Sequence, residues 1–152
     1  MDDSIDYPAI ETLVPHRGAM CLLDKVLKKT DDEVVCIVTI NESSLFLEKG
    51  KVDSWIGIEY MAQCVSVHAG FVALHQNKAT PIGLLPGSRC VDIKIDAFLL
   101  HQSLQVTSKK IWQGEDGTAS FACDIKDLEK QNYLLKANLS VYSPESVAIL
   151  ES

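Results

Sequence analysis

The sequence has no long uncharged apolar run, no CxxC pair, no low-complexity tract and no internal repeat. The longest apolar stretch is interrupted by Glu59, Gln63 and His68, which argues against a membrane span. The opening MDDSIDY is acidic where a signal peptide is basic and then apolar, so a soluble, cytoplasmic protein is expected. Cys21, Cys36, Cys64, Cys90 and Cys123 are scattered and odd in number, which points away from zinc sites and disulfide frameworks. They read as small buried apolar residues in a reducing compartment. Positive charge is also short: 14 Lys and Arg against 21 Asp and Glu leave a formal net charge of -7. That balance opposes sequence-independent binding to nucleic acid or to an anionic membrane, although a local basic patch is compatible with it.

What is present is an ordinary globular mixture, 47% hydrophobic and 23% charged, in 152 residues. That length cores one domain well and two poorly, so a single domain over 1–152 is expected. Residues 6–14 (DYPAIETLV) suit a short helix that Pro15 stops, leaving VPHRGAM as a loop. MCLLDKVLKK and EVVCIVTIN, separated by TDD, read as a strand hairpin. Asp53 or Ser54 is placed to cap a helix from about Trp55 to about Gln76, and its apolar residues fall on nearly every face, as in a buried helix. The remainder reads as strands: PIGLL, RCVDIKIDAFLL, SLQVTSKKIW, ASFACDIKDL and YLLKANLSVY. Turn signals at Pro86-Gly87-Ser88, Asp116-Gly117 and EKQN separate them. The fold class expected is α+β, a curved antiparallel sheet wrapped around a central helix.

Glu59 is the one carboxylate in the apolar body of that helix. The helix macrodipole tolerates an acid near the start of a helix, so a plain structural role is open. No cation stands at helical spacing from it, however, and a carboxyl group among apolar side chains is a candidate for acid-base chemistry. Gln63, one turn on, is placed to hydrogen-bond that carboxyl or a water beside it. The amides of Ser54, Trp55, Ile56 and Gly57 open the helix and are candidates to polarise a carbonyl, Gly57 adding close approach; satisfaction by the loop or by water is equally open. His16 lies in a proline-stiffened loop before a strand, and an imidazole with a pKa of about 6.5 suits either a general base or a backbone contact. His68 falls on a different helical face from Glu59 and reads as a core or interface residue, and neither His75 nor His101 suggests catalysis.

Two motifs carry a resemblance. IGIEYMAQ resembles the E-A-M-A-Q helix of hotdog-fold 3-hydroxyacyl-acyl carrier protein dehydratases, and LVPHRGAMCLLDKV resembles their L-P-H-R…L-L-x-D-R-V opening. The likeness runs from about Leu13 to Tyr142 and implies the hotdog fold. Those dehydratases pair a helix acid with a histidine from a G-H-F-P-G loop across a dimer interface; here Glu59 matches the acid, but the loop FLEKGKVDSW has no histidine. WIGIEYMAQ, VPH and GLLPGSR are more similar to a subgroup of predicted dehydratases of aryl polyene and related fatty-acid-like biosynthesis.

The subgroup resemblance implies His16 and Glu59 as the catalytic pair, with Trp55, Gly57, Gln63 and Arg89 at the substrate. Arg89 would form an ion pair or grip the phosphate of a carrier-protein phosphopantetheine arm. Arg17, Lys25, Lys28, Lys29, Lys49 and Lys51 flank the site and would steer an acidic carrier protein. The implied reaction is dehydration of a 3-hydroxyacyl thioester to the trans-2-enoyl thioester, a lyase reaction needing no metal or cofactor. The implied assembly is a homodimer or a heterodimer with a related hotdog subunit. A hotdog thioesterase and a non-catalytic subunit of a dehydratase heterodimer are the alternatives.

Overall fold

In the computed structural model, which describes residues 6–15, 18–77 and 84–142 (of 84–86 the backbone alone), Thr30 closes the first hairpin. Its N–H donates to the Glu33 carbonyl (2.8 Å) and its hydroxyl accepts from the Glu33 N–H (3.1 Å). This turn joins β1 (Lys25–Lys29) to β2 (Glu33–Thr39). A short strand, β3 (Lys51–Asp53), leads into the only α-helix among the described residues, α1 (Ile56–His75). After it come β4 (Leu84–Ile93), β5 (Ala97–Leu99), β6 (Ser103–Gln113), β7 (Thr118–Asp127) and β8 (Tyr133–Tyr142). The main sheet is antiparallel in the order β1-β2-β6-β7-β8-β4, and β3 pairs with β5 beside it.

Alternation along the strands divides the sheet into two faces. Val34, Cys36 and Val38 of β2, Leu104 and Val106 of β6, Phe121, Cys123 and Ile125 of β7, and Leu135, Ala137 and Leu139 of β8 are buried in one core. The cross-strand partners Thr107, Asp124, Lys136 and Asp92 run across the opposite face. Helix α1 covers the apolar face with Ile56, Tyr60, Met61, Cys64 and Val67, and Tyr60 meets the fully buried Phe98 of β5 at 5.7 Å between ring centroids. Each such large apolar side chain removed from water stabilises the fold by about 1.5–3 kcal/mol.

Two glycines let α1 sit this close. A Cβ on Gly57 would lie 2.6 Å from Leu135 Cδ2 and 3.0 Å from Ile125 Cδ1. On Gly70 it would lie 1.9 Å from the Leu13 carbonyl oxygen, because the N-terminal segment rests its backbone directly on the helix.

The structure departs from the sequence reading in several places, among them RCVDIKIDAFLL, which is divided between β4 and β5, and β3, which lies in a segment read as loop. The helix expected over 6–14 is a single 3-10 turn, Ile10–Thr12, because two prolines leave too little chain to offset helix nucleation. Pro86-Gly87-Ser88 lies within β4, not between strands; β4 is an edge strand, where a missing N–H and irregular register are tolerated. Neither Asp53 nor Ser54 caps α1 through its side chain, and Trp55 occupies the cap position. The helix is not enclosed all round: a stripe through Trp55, Glu59, Ala62 and Ser66 stays partly open. Finally, Cys90 is exposed on β4, unlike the buried Cys36, Cys64 and Cys123.

Candidate active site

The open stripe of α1 is where polar chemistry meets the apolar core. At its head Trp55 is 61% exposed, and one turn later Glu59 is half-buried. The turn preceding the helix is tight: the Ser54 N–H donates to the Asp96 carbonyl (3.0 Å), Gly57 to Ser54 (2.9 Å) and Ile58 to Trp55 (3.1 Å). These bonds use three of the opening donors. Among the described residues, the amides left without an acceptor there are those of Trp55 and Ile56, so the carbonyl-polarising group expected over Ser54–Gly57 reduces to this pair. The space that Gly57 leaves by having no side chain is filled by Leu135, Ile125 and Phe98, so its missing Cβ admits the sheet and not a substrate.

Gln63 is fully buried, and both ends of its carboxamide are engaged. Its Oε1 accepts the Leu22 N–H (2.9 Å) and its Nε2 donates to the Met20 carbonyl (2.8 Å). The group expected to hydrogen-bond the Glu59 carboxyl or a water instead holds the backbone of the loop before β1. Sequence alone showed a glutamine one turn from an acid but not which way its amide points.

His16 and its neighbour Arg17 lie outside the described residues. Arg89 is exposed on β4, in register with Asn138 on the sheet face away from α1, so within one subunit it and Glu59 stand on opposite sides of the sheet. Lys25, Lys28 and Lys29 line the outer edge of β1, with the Lys29 ammonium 5.0 Å from the Phe71 ring centroid.

His68 is partly buried, packed against the sheet. Its Nε2 lies 2.9 Å from Ser108 Oγ and 3.2 Å from the Ser108 carbonyl, and its ring is 4.8 Å from that of Phe121. Burial, with Lys110 and Lys29 adding repulsion, lowers its pKa to about 4, so near neutral pH the ring is uncharged. Ser108 donates onward to the Cys64 carbonyl, and the Cys64 thiol lies 3.8 Å from that of Cys36. That contact, then burial, pushes the Cys36 thiol far above the usual range; burial does the same for Cys123. Both are unreactive packing groups.

One helix cradled by a curved antiparallel sheet, with a half-buried carboxylate near the helix start, defines a hotdog-fold protein. The chain belongs to the ApeP-like family, whose model, described as ApeP dehydratase, matches residues 8–151. Among solved structures it is similar to the dehydratase heterocomplex ApeI:P from Xenorhabdus doucetiae, with 28% identity, a TM-score of 0.84, and 96% of this chain and 97% of that one covered. A hypothetical thioesterase with coenzyme A from Streptococcus pneumoniae TIGR4 shares the fold, at 18% identity and TM-score 0.60 over 78% of this chain and 84% of that one. So does zebra fish thioesterase superfamily member 2, at 11% identity and TM-score 0.63 over 88% and 91%. No curated protein matches the chain. Its activity is therefore dehydration, carried on a fold that thioesterases also use.

Proposed function

We propose that the chain, a single hotdog domain, removes water from a 3-hydroxyacyl thioester borne on the phosphopantetheine arm of an acyl carrier protein and releases the trans-2-enoyl thioester. It would do so in the cytoplasm, in aryl polyene or related biosynthesis. The observation that carries this reading is the dehydratase-family match over 8–151, together with Glu59 half-buried one turn into the central helix. His16 takes the C2 proton, the Trp55 and Ile56 amides hold the thioester oxygen as negative charge develops on it, and Glu59 gives a proton to the leaving C3 hydroxyl. The C2–H and C3–O bonds break, the C2=C3 double bond forms, and proton return from His16 to Glu59 restores the starting state. Arg89, on the far side of its own sheet, would meet the carrier-protein phosphate only from a site shared with a partner.

The sheet edges support a partner of the same fold. On β1 three lysines guard the edge, a common defence against strand addition. The other edge, β4, exposes apolar side chains: Val91 and Ile93 are 44% and 42% exposed beside a bulge between Arg89 and Asp92, where Cys90 takes a φ of 54°. The ApeI:P neighbour is a heterocomplex, and we propose that a second hotdog subunit covers β4 here.

The absence of a histidine from the loop between β2 and α1 favours one second reading, a subunit without catalytic residues of its own. Mass spectrometry of a 3-hydroxyacyl-carrier protein, incubated with the chain and its partner, separates the two. Dehydration lost in both His16→Ala and Glu59→Gln, by about 100-fold or more, supports catalysis by this chain. Unchanged dehydration in both variants would assign the chemistry to the partner.

A further inference from the structure

We infer that residues 6–14 form a strap that closes the β1 edge of the sheet against strand addition, with the Tyr7 hydroxyl as its clasp. The inference concerns β1 alone and stands whether or not β4 carries a partner. An edge strand offers its outward N–H and C=O groups to any strand that approaches, unless charge, irregularity or a cover prevents it. On β1 the ladder bulges between Val26 and Lys28, and Lys25, Lys28 and Lys29 supply charge. Beyond the bulge the strand is regular, and there the backbone itself is engaged. The Thr30 N–H turns inward to the Glu33 carbonyl (2.8 Å), so by the alternation of an antiparallel pair the N–H of Lys29, in register with Val34, points out of the sheet. It donates to the Tyr7 hydroxyl (3.1 Å).

The strap is anchored on α1. Ile10, Leu13 and Val14 are buried, and the Leu13 carbonyl lies where a Cβ on Gly70 would be. From that anchor Tyr7 reaches β1 across Phe71: the two rings meet edge to face, with centroids 6.2 Å apart and planes at 80°, and the Lys29 ammonium stands 5.0 Å from the Phe71 centroid. One ring of α1 thus seats both the clasp and the residue it holds. The segment does not join the sheet as a strand. A cleft of about 340 Å³ lies between residues 6–11 and residues 24–27, and Pro8 has no N–H to offer an edge. The cover is therefore a side chain, held in place by packing. Closing one edge in this way confines growth of the sheet to the other, whereas two open edges would allow head-to-tail addition without closure.

Tyr7→Phe keeps the ring on Phe71 and removes only the acceptor. In amide hydrogen exchange of the full chain, Lys29 should exchange at least about tenfold faster in this variant, with Thr30 and the amides of β6 and β7 unchanged. Unchanged Lys29 exchange, or loosening spread over the whole sheet, would overturn the assignment of the hydroxyl as clasp.

Tyr7→Ala opens the edge itself. Sedimentation of the full chain in about 0.5 M salt, where screening within about 4 Å silences the lysines, should show this variant self-associating at least about tenfold more tightly than wild type. Lys29→Pro deletes the outward N–H and no ladder bond, so Tyr7→Ala combined with Lys29→Pro should return to the wild-type mass. Wild-type mass for Tyr7→Ala alone, or association that Lys29→Pro leaves in place, would contradict closure of β1 by the strap.

Discussion

His68 gives acid sensitivity to a protein whose chemistry does not use it. Its folded-state pKa of about 4 lies below the ordinary value of about 6.5, so between those pH values the unfolded chain binds more protons. Stability from this residue is complete above about pH 6.5 and is lost as the pH falls toward 4, by at most about 3 kcal/mol. Asp124, whose carboxyl burial pushes up, acts with the opposite sign. The difference between wild type and His68→Gln in urea melts at pH 7 and pH 4.5 therefore isolates the histidine. The variant is expected to lose less stability on acidification than the wild type. That His68 packs as a core or interface residue was legible from its helical face, whereas the job of Gln63 was not, since a glutamine near an acid looks the same whether it faces a substrate or a loop.

At the level of elements, the sandwich of α1 against sheet and N-terminal segment depends on two glycines of different tolerance. Gly70→Ala drives a methyl group into the Leu13 backbone and is expected to cost about 2–3 kcal/mol in chemical denaturation. Gly57→Ala meets the tips of Leu135 and Ile125, which can turn aside, so a loss nearer 1 kcal/mol is expected. The strands and the helix were legible because their periods of two and 3.6 are dictated by burial. The 3-10 turn at Ile10–Thr12 and the continuous β4 were not: short chain between prolines and a proline inside an edge strand obey tertiary context over local signals. The expected burial of α1 on all sides erred because apolar composition does not show that the stripe through Trp55, Glu59, Ala62 and Ser66 stays partly open.

For the whole molecule, the proposal that a second hotdog subunit covers β4 rests on the exposed Val91 and Ile93 of that edge, set against the lysines of β1. Val91→Lys with Ile93→Lys is expected to weaken the heterocomplex at least about tenfold in a sedimentation or titration experiment, while Leu27→Lys on β1 leaves it unchanged. The hotdog architecture could be read from two short motifs, but the identity of a partner could not, because a partner's own surface leaves no pattern in this chain. The most direct measurement is the intact mass of a 3-hydroxyacyl-carrier protein after incubation with the purified heterocomplex, carrying in turn wild-type chain, His16→Ala and Glu59→Gln. Loss of water with wild type and not with either variant is the result predicted. Release of the free acyl chain, or dehydration indifferent to both substitutions, would contradict it.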